Sequence, residues 1–183
     1  MITLKLKNID EIKGKTGDKN LLIVCSLCPY WNFSKEEVEE LGVKLDSEVV
    51  KLPTICNYPE IKVDPEDYDR IYVLACGAGS QVVSEVLDTE IIPVADTTGI
   101  GVKRGDKILE YCSACGDCVL EKTAGICPIK RCPKSLLNGP CGGVRDGKCE
   151  VDDIDCAWIL IDKRMKKFGK WDELIGTRIP RLK

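Results

Sequence analysis

Twelve cysteines in a chain of 183 residues constrain the fold more than any other feature of this sequence. The first residues lack the apolar stretch of a secretory signal, and no apolar run approaches the roughly 18 residues of a membrane-spanning helix. We therefore expect a cytoplasmic protein, without membrane insertion, whose thiols are kept reduced. In that setting the cysteines predict metal ligation rather than a disulfide framework.

The absence of histidine narrows the choice of metal. A histidine-ligated zinc ion, a Rieske-type centre and a histidine general base are all excluded. Ligation by thiolates alone suits zinc or iron–sulfur clusters. Aromatic residues make up only 5% of the chain, which argues against a stacking surface for single-stranded nucleic acid, so we expect no nucleic-acid partner.

Residues 1–110 predict an α/β domain that carries four of the cysteines. Hydrophobic patterning predicts strands over residues 2–7, 21–25, 71–75 and 91–95. Pro93 places the last of these at an edge of the sheet. Residues 96–107 contain three glycines and predict a loop.

Two helices are expected between these strands. Ser34 and Glu37 have the spacing of a capping box, which predicts a helix over residues 35–41 that ends at Gly42. A second helix is predicted over residues 80–88. Strands that alternate with helices indicate a small parallel sheet of the Rossmann or flavodoxin-like type.

Residues 111–162 predict a cysteine-rich iron–sulfur domain with little apolar core, which bound metal must therefore hold together. The region ends in a helix that Asp152 or Asp153 caps and that Gly169 terminates. The expected buried face of this helix consists of Ile154, Ala157, Trp158, Ile161, Met165 and Phe168.

The spacing Cys112-x2-Cys115-x2-Cys118 is typical of bacterial ferredoxins, in which one loop supplies three ligands of a [4Fe-4S] cluster. A fourth ligand often precedes proline, as Cys127 and Cys132 both do. The ligands for two clusters are then Cys112, Cys115, Cys118, Cys127, Cys132, Cys141, Cys149 and Cys156. Their spacing does not divide them into two sites. The alternative for one site is zinc, held by Cys127, Cys132, Cys141 and Cys149.

Four further cysteines could form a third cluster. Cys25 and Cys76 end or follow predicted parallel strands, so both should emerge at the carboxyl edge of the sheet, with Cys28 and Cys56 in nearby loops. The alternative is that Cys25 and Cys76 are ordinary small buried residues.

The C-terminal segment, residues 163–183, forms a basic tail with a net charge of +6, whereas the whole chain carries −3. Its apolar residues include Trp171, Leu174, Ile175 and Ile179. We expect an extended arm that docks a partner subunit. The alternative is an arm that folds back on the acidic N-terminal domain.

Several motifs resemble those of the methylenetetrahydrofolate reductase C-terminal domain family, in its MetV-type iron–sulfur small subunit. The motifs are Ala75-Cys76-Gly77-Ala78-Gly79, Ala114-Cys115-Gly116-Asp117-Cys118-Val119-Leu120, Gly125-Ile126-Cys127-Pro128, Leu137-Asn138-Gly139-Pro140-Cys141-Gly142-Gly143, Gly147-Lys148-Cys149-Glu150-Val151 and Cys156-Ala157-Trp158.

The resemblance implies an electron-transfer partner of a flavin-containing, TIM-barrel reductase subunit. Electrons from ferredoxin or another donor pass through the clusters to the flavin, which reduces methylenetetrahydrofolate in the Wood–Ljungdahl pathway of one-carbon metabolism. A chain of this size cannot form eight βα units, so no catalytic residue is predicted. The alternative function is a zinc-binding structural scaffold of a reductase or of a corrinoid methyltransferase complex.

Overall fold

The computed structural model describes residues 1–15, 18–174, 177 and 179. The chain forms two compact units, Met1–Gly99 and Ile100–Lys183. The strands are β1 (Ile2–Leu6), β2 (Asn20–Cys25), β3 (Ser47–Leu52), β4 (Arg70–Leu74), β5 (Ile92–Pro93), β6 (Ala95–Arg104) and β7 (Lys107–Cys112). The helices are α1 (Ile9–Ile12), α2 (Pro29–Asn32), α3 (Lys35–Lys44), α4 (Gly77–Leu87), α5 (Pro128–Arg131) and α6 (Ala157–Lys167).

A four-stranded parallel sheet organises the first unit, in the order β3-β2-β4-β5. The strand order reverses between β2 and β4, as it does in flavodoxin-like sheets, and the carboxyl ends of those two strands are where such folds place ligands. The predicted parallel sheet is therefore confirmed. Pro93 lies in the edge strand β5, as expected. Strand β3 was not predicted, because this strand is only half-buried and lacks a continuous apolar run.

Both faces of this sheet are covered. Alternate residues of β2 point to opposite sides, with Leu21 and Ile23 in one apolar cluster and Leu22 and Val24 in the other. Helix α4 packs on the first face and helix α3 on the second. Burial on both sides explains why β2 and β4 are almost continuously apolar.

The capping box of α3 is confirmed. The Ser34 hydroxyl accepts from the Glu37 amide at 3.1 Å, and the Glu37 carboxylate accepts from the Ser34 amide at 2.6 Å. The predicted end at Gly42 is wrong, because α3 continues to Lys44 with Gly42 buried inside it. A β-carbon on Gly42 would lie 2.6 Å from Val49 Cγ2, so this glycine allows the helix to approach β3 closely.

Helix α4 begins earlier than predicted, at Gly77, with Cys76 as its N-cap residue. The predicted loop over residues 96–107 is also wrong. That segment forms most of a hairpin, in which the end of β6 pairs antiparallel with β7 around Gly105 and Asp106. Gly105 has a positive φ, and a two-residue connection with such a glycine is a standard hairpin turn. The other two glycines of the segment, Gly99 and Gly101, lie in β6 itself.

The second unit has a small apolar core of Ile126, Trp158, Ile161 and Met165. Three of these residues lie on the predicted face of α6, and Ala157 is buried as well. Ile154 and Phe168 were expected on that face but are exposed. The predicted caps Asp152 and Asp153 are wrong, because residues 152–155 lie before the helix and Cys156 is its N-cap residue. Gly169 follows the end of α6 with a φ of +65°, as expected of a helix stop.

The extended arm predicted over residues 170–183 is contradicted over residues 171–174, which form a 3-10 turn. The Trp171 indole donates to the Asp162 carboxylate at 2.7 Å, and Leu174 packs against the core of the second unit. Most of the remaining tail, including Ile175, lies outside the described residues. Among the residues that are described, no helix is both long enough and apolar enough to cross a bilayer.

Candidate metal centre

All twelve cysteines are free thiols, so each can serve as a metal ligand. Those of the second unit are spread over residues 112–156, where regular structure is sparse. Left-handed backbone recurs in this stretch, at Ala114, Gly116 and Gly125 among other positions, and it turns the chain sharply between cysteines.

Four thiols of the second unit line one small cavity, which we call the four-cysteine cavity: Cys132, Cys141, Cys149 and Cys156. Cys132 ends α5 and Cys156 begins α6. The spacing of the eight C-terminal cysteines did not divide them into two sites, whereas the structure places these four around one cavity.

Local backbone bonds and one tertiary bond hold the cavity walls. The Cys149 amide donates to the Ile154 carbonyl at 2.9 Å, and the Cys156 amide donates to the Gly147 carbonyl at 2.8 Å. The Trp158 indole donates to the Leu136 carbonyl at 3.0 Å. The last bond ties α6 to the segment that follows Cys132, so cysteines distant in sequence share one cavity.

Two charged residues that sequence reasoning missed also line the cavity. The Cys141 thiol donates to Glu150 Oε1 at 3.4 Å, and the same carboxylate oxygen forms an ion pair with the Lys134 ammonium. The hydrogen bond from Lys134, followed by that from Cys141, lowers the pKa of Glu150. The hydrogen bond to Glu150 raises the pKa of Lys134, with smaller contributions from Cys141 and Cys149. Glu150 follows Cys149 directly, but no sequence signal linked it to Lys134.

Amide groups donate to two of the thiol sulfurs. The Val151 amide lies 3.4 Å from Cys149 Sγ, and the Ala114 amide lies 3.3 Å from Cys112 Sγ. Such bonds stabilise thiolate charge and are among the contacts that tune iron–sulfur sites.

The other four cysteines of this unit do not line the cavity. Cys112 ends β7, Cys115 and Cys118 lie in the loop after it, and Cys127 is the N-cap residue of α5. Cys127 and Cys132 therefore flank the same short helix, but only Cys132 reaches the cavity. The alternative zinc site predicted from the sequence used Cys127, Cys132, Cys141 and Cys149. The cavity contains Cys156 in place of Cys127.

Cys25 is the last residue of β2, and the other three cysteines of the first unit follow the carboxyl ends of its strands. Cys28 and Cys76 pack beside the same apolar cluster, and Cys25 is buried on the opposite face of the sheet. Burial raises the pKa of Cys28, a bond to the Ile2 backbone opposes this effect, and the neighbouring thiols Cys76 and Cys25 raise the pKa further. Cys56 lies exposed in a 3-10 turn after β3.

Across the parts of the chain that are described, no three Cys, Asp or Glu side chains are placed so that they could share a single metal ion. The four-cysteine cavity thus brings four thiols around one space without the tight convergence that one ion requires.

The fold and the thiols define an α/β protein with a cysteine-rich C-terminal unit. Residues 92–182 match the family described as methylene-tetrahydrofolate reductase C terminal, so this segment of the chain is similar to that family. The match confirms the resemblance to the methylenetetrahydrofolate reductase C-terminal domain family over these residues. The match includes all eight cysteines of residues 112–156 and excludes the four of the first unit. No curated protein and no solved structure matches the chain.

Proposed function

We propose that this protein is an iron–sulfur electron-transfer subunit, of the MetV type, that delivers electrons to the flavin of a methylenetetrahydrofolate reductase partner. The observation that carries the proposal is the four-cysteine cavity, which lies inside the segment that matches the reductase family. A cluster bound there takes up and releases single electrons.

The four thiols of the cavity are a complete donor set for a four-iron cluster. Each iron of a [4Fe-4S] cluster binds one thiolate, so the four sulfurs stand farther apart than they do around one ion. Each of the four cavity thiols would then bind one iron. In this proposal the cavity walls hold the thiolates and Val151 donates its amide to one of them.

A second cluster would use the four cysteines of this unit that lie outside the cavity: Cys112, Cys115, Cys118 and Cys127. Two arguments support the grouping. The first three have ferredoxin-type spacing, and the grouping leaves a full tetrad for each cluster. The left-handed backbone at Ala114 and Gly116 curves the loop between the first three thiols.

A third cluster at the carboxyl edge of the parallel sheet would use Cys25, Cys28, Cys56 and Cys76. The position of Cys28 and Cys76 at the reversal of strand order supports this site. The burial of Cys25 on the opposite face favours the simpler role of a packed side chain for that residue.

The reduction itself is assigned to the partner. The described residues contain seven strands in two small sheets and no eight-stranded barrel. The chain's own contribution is to bind the clusters and to dock the flavin-bearing subunit. Ferredoxin or another one-electron carrier is the donor class that fits this role.

Substitution in the cavity tests the proposal. Cys149→Ala should lower iron and sulfide by about four each per chain, because one four-iron cluster loses a ligand, and it should remove one EPR signal of the reduced protein. Leu136→Ala, at the cavity wall, is the matched control that removes packing but no ligand and should keep its iron. Zinc bound in place of iron and sulfide in the unsubstituted protein would support the structural scaffold instead.

Electron delivery is tested with the separate flavin subunit. The dithionite-free, reduced protein should bleach the flavin absorbance of the partner in stopped-flow mixing, and Cys149→Ala should slow that step. A flavin reduced at an unchanged rate by the variant would remove this cluster from the electron path.

A further inference from the structure

We propose that the Lys134–Glu150 ion pair sets the reduction potential of the cluster bound in the four-cysteine cavity, with its two charges acting in opposite directions. This inference rests on the proposed function, because it requires a cluster at that site.

The pair lies against the thiols themselves. Both side chains line the cavity, and the Glu150 oxygen that pairs with Lys134 also accepts from the Cys141 thiol at 3.4 Å. Lys134 follows Cys132 by two residues, and Glu150 follows Cys149 directly. The side chains are 42% and 38% exposed, respectively, so solvent weakens their fields without removing them.

The backbone makes room for this arrangement. A β-carbon on Gly143 would overlap the Glu150 carboxylate, so only glycine at that position lets the carboxylate lie where it does. Lys134 lines the same cavity as Cys141 and Cys149, which places its ammonium near two of the proposed ligand sulfurs. The Lys134 ammonium thus holds Glu150 beside Cys141, and it can do so when Cys141 binds iron as a thiolate and has no proton to donate.

Reduction adds one electron to the cluster, with no bond made or broken, and the electron comes from a one-electron carrier. The added negative charge is stabilised by a nearby cation and opposed by a nearby carboxylate. A lysine beside the cluster therefore raises its potential and a glutamate lowers it. In the pair, the two effects partly cancel.

The two single substitutions should consequently shift the potential in opposite directions. Glu150→Gln leaves Lys134 unpaired, so the midpoint potential rises. Lys134→Gln leaves Glu150 unpaired, so the midpoint potential falls. The double variant should return close to the original value, because both charges are gone.

The experiment is an EPR-monitored redox titration of the full chain, purified anaerobically. The relevant signal is the one that disappears in Cys149→Ala. The matched control is the Asp162–Lys166 pair on α6, which lies outside the four-cysteine cavity. Asp162→Asn and Lys166→Gln should leave the potential unchanged.

Shifts of the same sign in both variants, or no shift with iron and sulfide intact, would overturn this inference and leave the proposed function standing. Loss of iron from Glu150→Gln alone would also overturn it, because Glu150 would then be a ligand or a structural support. Lys134→Arg guards against a packing effect, since it keeps the charge and should keep the potential. Absence of iron and sulfide from the unsubstituted protein would overturn both proposals.

Discussion

Gly143 leaves the space in which the Glu150 carboxylate lies, because a β-carbon at residue 143 would overlap that carboxylate. Gly143→Ala should therefore push Glu150 away from Cys141 and break its ion pair with Lys134. We expect the midpoint potential of the cluster proposed for the four-cysteine cavity to rise, as in Glu150→Gln.

Gly142→Ala is the control for this substitution. Gly142 has a φ of +80°, but a β-carbon there would meet no atom within 4 Å. The control should cost stability through backbone strain while leaving the potential in place. An equal change of potential in both variants would show that backbone strain, and not Glu150, is responsible.

Ile161 is the centre of the small core of the second unit, with no exposed surface. Ile161→Ala should lower the free energy of unfolding of this unit by about 2–5 kcal/mol, because it removes buried methyl groups and leaves a cavity. Urea unfolding followed by tryptophan fluorescence measures the change, since Trp158 lies in the same core. Lys163→Ala, exposed on the same helix, should change stability by no more than about 0.5 kcal/mol.

Asp162 links α6 to the turn over residues 171–174. Hydrogen bonds from Lys166 and, second, from the Trp171 indole lower the pKa of this carboxyl group. A lowered pKa in the folded state adds stability above the pKa of the unfolded chain, and this stability is lost as the pH falls through the folded-state pKa. Trp171→Phe should raise the pKa of Asp162 toward its usual value and reduce the loss of stability on acidification.

NMR titration of the Asp162 carboxyl group measures this effect. The Lys166 bond remains in the variant, so the pKa should stay below its usual value. An unchanged pKa in Trp171→Phe would mean that the turn does not bond to α6 in solution.

The basic tail is proposed to dock the reductase subunit. Neutralising Arg178, Arg181 and Lys183 together with glutamine should weaken binding to that subunit and flatten its dependence on salt, because charge attraction is screened by ions. Isothermal titration at two salt concentrations measures both effects. The matched control replaces Lys5, Lys35 and Lys44 of the first unit. Equal losses in the two triple variants would show that overall charge, rather than the tail, governs binding.

Short-range signals predicted much of the fold. The Ser34–Glu37 capping box and the apolar runs of β2 and β4 depend on neighbouring residues, and the structure has them where they were expected. Gly42 and the glycines of β6 were misassigned because a glycine can end an element or permit close packing within it. Only tertiary neighbours such as Val49 decide between these roles.

The cysteines illustrate the same limit. Ferredoxin-type spacing predicted that Cys112, Cys115 and Cys118 act together as ligands. The set of four around the cavity depends on how α6 packs, through the bond between Trp158 and Leu136, which the spacing of cysteines does not encode. The Lys134–Glu150 ion pair could not be predicted either, because it too depends on tertiary packing.

The iron, acid-labile sulfide and zinc contents of the anaerobically purified protein test the central claim most directly. Two clusters in the second unit require about eight iron and eight sulfide per chain, and a third in the first unit brings each to about twelve. Near-stoichiometric zinc with little sulfide would contradict the claim, and it would make this chain a zinc-held scaffold rather than an electron carrier.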